Sequence, residues 1–234
     1  MMTNVIEIFS SIQGEGKYVG CRQTFIRTAD CNLNCAYCDT NFSSAEFCNV
    51  ETSAGSMEFT QIKNPLDAAQ AADIIKRFSA EIPTHSVSFT GGEPLLHWQF
   101  ISEVAAQIDN KIFLETNGTL PAALEKIIDA VDIISMDIKL PSAHFAEHRE
   151  FLKIARAKDL YAKIVVTAET APEEFDAAVD LLAPEDLLIL QPVTPVKNVR
   201  AIDARKILEL QARALQKVKN VRVIPQTHRM LKIL

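Results

Sequence analysis

No apolar run in the chain approaches the ~20 residues that a membrane-spanning helix needs, and no basic stretch followed by an apolar segment stands near the N-terminus. A basic excess is missing too, since 24 Lys and Arg face 30 Asp and Glu, for a formal charge of −6. That balance gives no support to a protein that wraps nucleic acid, because neutralising phosphates takes clustered cations. Glycine is scarce at 7 residues, and no linker, internal repeat or low-complexity tract interrupts the chain, which excludes the collagenous and disordered classes. What remains is a globular sequence of 234 residues, 48% of them hydrophobic. A chain of this length buries roughly 70% of its unfolded surface. The expectations are therefore one domain over residues 1–234 and a cytoplasmic location. In that compartment the five cysteines point to reduced thiols or metal ligands rather than disulfides.

Runs rich in Val, Ile and Phe recur at 5–9, 24–27, 86–90, 112–115, 133–138, 163–167, 187–191 and 221–224. Their near-continuous apolar character predicts strands covered on both faces, as in a parallel sheet. Between them, helical spacing predicts helices over 66–78, 95–108, 121–131, 145–157, 172–182 and 201–218. Such alternation argues for βαβ units with right-handed crossovers, either an open doubly wound sheet or an incomplete barrel. The length is short for eight units, so an α/β fold with an incomplete parallel β/α barrel is the better reading. Strand ends carrying Thr90-Gly91-Gly92-Glu93, Glu115-Thr116-Asn117-Gly118 and Gln191-Pro192 should then converge on one ligand site. The Ser-, Ala- and Thr-rich segment 43–55 reads as a loop insertion, and 219–234 as a C-terminal strand and tail.

The densest chemistry lies in Cys31-Asn32-Leu33-Asn34-Cys35-Ala36-Tyr37-Cys38. Three thiolates at this spacing leave one coordination position open, which suits a reactive metal site better than a closed structural one. A zinc site completed by a distant ligand such as Cys21 or Cys48 is the plainer alternative. Taken alone, Thr90-Gly91-Gly92-Glu93-Pro94 reads as a turn before a helix, but its glycines also let backbone approach a ligand while carbonyls and a carboxylate receive an ammonium group.

Together the cysteine triplet, with an aromatic residue before its last member, and the later Gly-Gly-Glu element resemble the radical S-adenosylmethionine (SAM) superfamily. That resemblance implies a [4Fe–4S] cluster on Cys31, Cys35 and Cys38. It implies SAM contacts from Tyr37, Asp39, Gly92, Glu93, Asn117, Ser135, Asp137 and Gln191, with Lys139 an alternative to Asp137. Glu7-Ile8-Phe9-Ser10-Ser11-Ile12-Gln13-Gly14-Glu15-Gly16, then Phe25-Ile26-Arg27-Thr28, Asp39-Thr40, Leu114-Glu115-Thr116-Asn117-Gly118-Thr119 and Val223-Ile224-Pro225-Gln226-Thr227-His228 narrow it further. They are similar to the 7-carboxy-7-deazaguanine synthase family of queuosine and 7-deazapurine biosynthesis.

Within that family the resemblance implies conversion of 6-carboxy-5,6,7,8-tetrahydropterin to 7-carboxy-7-deazaguanine with loss of ammonia. A 5′-deoxyadenosyl radical formed at the cluster would begin the reaction, with no protein side chain assigned to the chemistry. The implied substrate contacts are Ile12, Gln13, Gly14, Glu15, Arg27, Thr90, His228 and Leu234, the last through a carboxylate folded back to the pterin amino group. Arg27 suits a carboxylate bidentately. Thr40 is implied as a Mg²⁺ ligand, which a lone hydroxyl can be only if substrate oxygens and water complete the octahedron. The implied partners are an external electron donor such as flavodoxin or ferredoxin and a second copy in a homodimer, with neither nucleic acid nor membrane. Two rivals stay open. One is a glycyl-radical-enzyme activating protein, to which Asp137-Ile138-Lys139 bears some likeness, and the other a non-catalytic iron–sulfur or zinc protein. Lys163 reads as a surface lysine, and His85, His97, His144 and His148 as loop or helix-surface residues.

Overall fold

The computed structural model describes residues 1–38, 40–140, 144–196 and 198–234. In chain order its elements are β1 (Met2–Thr3), β2 (Val5–Ile12), β3 (Arg22–Thr28), β4 (Phe47–Glu51), β5 (Phe59–Lys63), β6 (Leu66–Asp67), α1 (Ala68–Glu81), β7 (Ser86–Gly91), α2 (Trp98–Ala105), β8 (Ile112–Thr116), α3 (Pro121–Ile127), β9 (Ile133–Asp137), α4 (Phe145–Ala155), β10 (Asp159–Val166), α5 (Pro172–Val179), β11 (Leu187–Pro192), α6 (Ala204–Leu215), β12 (Asn220–Val223) and α7 (Thr227–Leu231). The helices start where local chemistry provides a start. Asp67 and Gln70 form a reciprocal capping box on α1, Asp203 accepts from the Lys206 amide to open α6, and Pro121 and Pro172 occupy the first turns of α3 and α5.

A ten-stranded sheet runs in the order β12-β11-β10-β9-β8-β7-β3-β2-β4-β5. From β12 to β3 every neighbouring pair is parallel, whereas β2 returns antiparallel beside β3 and β5 antiparallel beside β4. With β12 and β5 as its two edges the sheet is not closed, so the architecture is the incomplete β/α barrel expected from the alternation.

Side chains on a strand alternate faces, and here the alternation has a clear outcome. Val87 and Phe89, Ile112 and Leu114, Ile134 and Met136, Ala162 and Ile164, and Leu188 and Leu190 all enter the main core shared with the helices. Residues of the opposite parity, Phe113, Ile133, Tyr161, Leu187 and Ile189, build a second, smaller core on the inner face. One step further along the same face, toward the strands' C-terminal ends, that layer gives way to Glu115, Ser135, Asp137, Lys163 and Gln191. Register confirms the layers, with Phe113 opposite Ile133, Glu115 opposite Ser135, and Lys163 opposite Asp137.

The segment 43–55 is not the loop insertion that its composition suggests. β4 passes through it and pairs in parallel with β2, with Glu7 opposite Asn49 and Ile8 opposite Val50. Its strand period is carried by only two buried apolar residues, Cys48 and Val50, and the polar residues around them hide it. Glu51, also buried, fixes the following turn by accepting from the Ser10, Gly55 and Met57 amides. Among the described residues no helix is long and apolar enough to cross a membrane.

Because Phe89 is fully buried in the main core, Phe89→Ala should lower unfolding stability by about 3–5 kcal/mol. Urea unfolding followed by circular dichroism measures this directly.

Candidate active site

The strand ends open onto a cavity of about 460 Å³, within the range of roughly 300–1,000 Å³ usual for small-molecule sites. The loop after β3 contributes Cys31, Cys35, Tyr37, Cys38 and Thr40 to its wall. From the opposite side come Ile12, Gln13, Gly14 and Glu15 of the segment after β2, together with His228 and Leu234 of the C-terminal region. Arg27, Thr90, Gly92, Asn117, Ser135, Asp137 and Gln191 complete the wall from the sheet. Asp39 lies outside the described residues.

All three loop thiols are free and half-buried. The Cys31 sulfur accepts from the Leu33 amide at 3.4 Å, and the Cys38 amide donates to the Cys35 carbonyl at 3.1 Å. Burial pushes the Cys31 and Cys35 thiols above their ordinary pKa, which favours the protonated thiols in the cofactor-free chain. The three thiols face one cavity, and thiolates are the usual protein ligands of iron–sulfur clusters. Cys21 and Cys48 do not join them. Neither lines the cavity, and Cys48 is fully buried in the main core, its thiol pushed up to about 12 by burial, so it offers no fourth ligand to a zinc site in the loop.

Opposite the thiols lies a run of buried charge. Lys163, only 5% exposed, pairs with Glu15 and stands 3.3 Å from Asp137 Oδ1. Lys139 holds Asp137 Oδ2 at 2.7 Å and places its ammonium 5.6 Å from the Tyr37 ring centre. Gln226 Nε2 donates to Glu15 Oε1 at 2.8 Å. Burial opposes ionisation of Glu15, but the Lys163 ammonium and the hydrogen bonds from Lys163 and Gln226 outweigh it and bring its pKa down to about 2. Lys163 and Lys139 likewise stay charged despite burial, held above the ordinary lysine range by the neighbouring carboxylates. Lys163 is thus no surface residue. Its strand position gave the signal, since it shares the parity of Tyr161 on β10.

Gln191 Oε1 is buried and has no hydrogen-bond partner among the described residues. An acceptor in that state is open to a donor from water or from a bound ligand. Gly92 packs so closely under the cysteine loop that a Cβ there would sit 1.7 Å from the Asp30 carbonyl, which explains glycine at that strand end. Gly14 has the same relation to His228, whose Nδ1 would lie 2.1 Å from the added Cβ.

Several expected contacts take a different form. Glu93 is fully buried and not part of the cavity wall. Its carboxylate accepts from Leu95 N, Thr116 Oγ1 and Asn117 N at 2.7–3.0 Å, and burial raises its pKa to about 7, so in the cofactor-free chain it braces the ends of β7 and β8. The amide of Asn117 is spent on Asn32 and Thr119. Gln13 donates to Glu115 and Gln23 and accepts from the Glu15 amide, which makes it a brace for the loop. Glu115, placed at the site by its strand end but given no role of its own, gathers Gln13, Ser88 and Thr90 as donors. Arg27 donates through Nε to Glu7 Oε1 at 2.7 Å, which leaves its terminal nitrogens without a hydrogen bond among the described residues. His148 is fully buried rather than surface-exposed. Leu234 does fold back, its carbonyl oxygen accepting from Ser11 Oγ at 2.8 Å.

A family model of the radical SAM superfamily matches residues 25–184, the stretch from β3 through α5. The chain belongs to that superfamily, whose members take a [4Fe–4S] cluster and SAM. A 7-carboxy-7-deazaguanine synthase of Geobacter sulfurreducens is 42% identical over 238 residues, covering 96% of this chain and 95% of the relative. Another, of Methanothermobacter thermautotrophicus, is 37% identical and covers 99% and 98%. Within the superfamily the chain therefore belongs to the 7-carboxy-7-deazaguanine synthase family. The crystal structure of QueE from Escherichia coli shares the fold with a TM-score of 0.62 at 19% identity, over 97% of this chain and 95% of that one.

The Glu15 carboxyl is held well below the pKa it has in the unfolded chain, so the stability it contributes is present above about pH 4.5 and is lost as pH falls toward 2. Glu15→Gln should flatten stability against pH in that window, measured as the urea midpoint between pH 5 and 3.

Proposed function

We propose that this radical SAM lyase contracts the ring of 6-carboxy-5,6,7,8-tetrahydropterin to give 7-carboxy-7-deazaguanine and ammonia. The observation that carries this reading is that the three loop thiols and the Arg27 guanidinium open onto one cavity, so a carboxylated substrate held by Arg27 lies within the space that the cluster and SAM share. The residues present suit those cofactors: free thiols on one loop, a glycine strand end, and buried acceptors on Asp137 and Gln191 facing the same space.

When bound, the cluster and SAM supply the one-electron chemistry that starts the reaction. The protein's own residues then do the holding. Arg27 meets the substrate carboxylate with the nitrogens that Glu7 leaves unused. Glu15, kept anionic by Lys163, receives the donor edge of the pterin. His228 closes against Gly14 from the C-terminal side, and Leu234 adds an acceptor. Thr40, in the cavity wall, offers a hydroxyl to Mg²⁺, which arrives with substrate oxygens and water. Electrons come from a small external donor protein, and residues 1–234 work as one domain in a cytoplasmic homodimer.

Anaerobically reconstituted, reduced protein given SAM, Mg²⁺ and carboxytetrahydropterin should form a product with a deazapurine absorbance spectrum. Replacing Cys31, Cys35 or Cys38 with Ala should abolish both iron uptake and product. SAM cleavage by the wild-type protein without deazapurine would refute the substrate while leaving the superfamily intact.

A further inference from the structure

The loop that carries the thiols has little backbone support of its own. Within 31–38 its one backbone hydrogen bond among the described residues is Cys38 to Cys35, while Asp30 before it pairs with Phe42 and Glu93. Side chains supply the rest. Asn32 Nδ2 donates to Thr119 Oγ1 at 2.8 Å, Thr119 Oγ1 donates to Asn117 Oδ1 at 2.6 Å, and Asn117 Nδ2 donates to Asn32 Oδ1 at 2.9 Å. These bonds close a ring in which each side chain donates once and accepts once, an arrangement in which every bond polarises the next.

The turn beneath the ring is pinned from two directions. Asn117 N donates to Glu93 Oε2 at 2.7 Å, and the Asn117 carbonyl accepts from His148 Nε2 at 2.9 Å. His148 is fully buried on α4, and Gly118 takes a φ of +68°, the left-handed backbone that glycine adopts without strain. The ring therefore joins the residue after Cys31 to a turn that is itself fixed to the Gly-Gly-Glu strand end and to a helix.

We propose that Thr119 is a positioning residue whose hydroxyl closes this ring and thereby sets the cysteine loop in place against the strand ends that take SAM. The proposal rests on membership of the superfamily and not on the ring-contraction substrate. Thr119 lies outside the cavity wall, and acts through Asn32 and Asn117.

Thr119→Val keeps the shape and removes the hydroxyl, whereas Thr119→Ser keeps the hydroxyl. Hydrogen exchange of the Leu33 and Cys38 amides, the hydrogen-bonded amides of 31–38 among the described residues, should speed up about tenfold in the cofactor-free Thr119→Val protein, the loss of roughly one or two hydrogen bonds. In the reconstituted protein the Kd for SAM should rise about tenfold. Thr119→Ser should match the wild type in both readings. Asn32→Ala, at an exposed position, removes the same ring from the other side and should reproduce both changes even if Thr119→Val folds poorly. Unchanged loop exchange would overturn the proposal, as would faster exchange with unaltered SAM affinity, or a serine variant as loose as the valine one.

Discussion

A β-strand sends successive side chains to opposite faces, and in this protein the consequence of that alternation reaches from the core to the chemistry. The outward parity of β7 through β11 is apolar along its length and seals against the helices. The inward parity starts apolar at Phe113, Ile133 and Tyr161 and turns polar two residues later at Glu115, Ser135 and Lys163. One geometric rule thus yields a packed floor and a polar wall without any change of backbone. Slipping a single strand by one residue would exchange these sets and bury Glu115 or Lys163 among the helices, so register and site are specified together.

The polar wall carries charges that water cannot reach easily, and a buried charge is tolerable only when paired. Lys163 meets that condition with carboxylates from two separate parts of the chain, Glu15 after β2 and Asp137 at the end of β9. Lys139 extends the run to Tyr37 on the cysteine loop. The segment after β2 and the end of β9 are therefore held to one another by a single ammonium. Gln226 joins the C-terminal region to the same Glu15, so all sides of the cavity share one electrostatic frame.

Much of this is legible in the sequence. The parallel strands declare themselves through runs of Val, Ile and Phe, and the chemistry of the cysteine triplet with Gly91-Gly92-Glu93 is legible through its resemblance to the radical SAM superfamily. β4 escapes notice because only Cys48 and Val50 of its inward residues are apolar. Lys163 and His148 look like surface residues since side-chain identity alone does not reveal burial, and only the face they share with Tyr161 or with the α4 core reveals it. Glu93 and Asn117 sit where ligand contacts are expected, and in the cofactor-free chain each also hydrogen-bonds its protein neighbours. A motif fixes where such a residue lies, but not which of its neighbours competes for it.

The most direct test of the account is the affinity of Lys163→Met for both ligands, measured as Kd on cluster-loaded protein. A cation that joins the two sides predicts that SAM and carboxytetrahydropterin both bind at least tenfold more weakly, because Asp137 and Glu15 lose their common partner together. Weakening of one ligand alone, or of neither, would contradict the claim that a single buried charge holds the site as one unit.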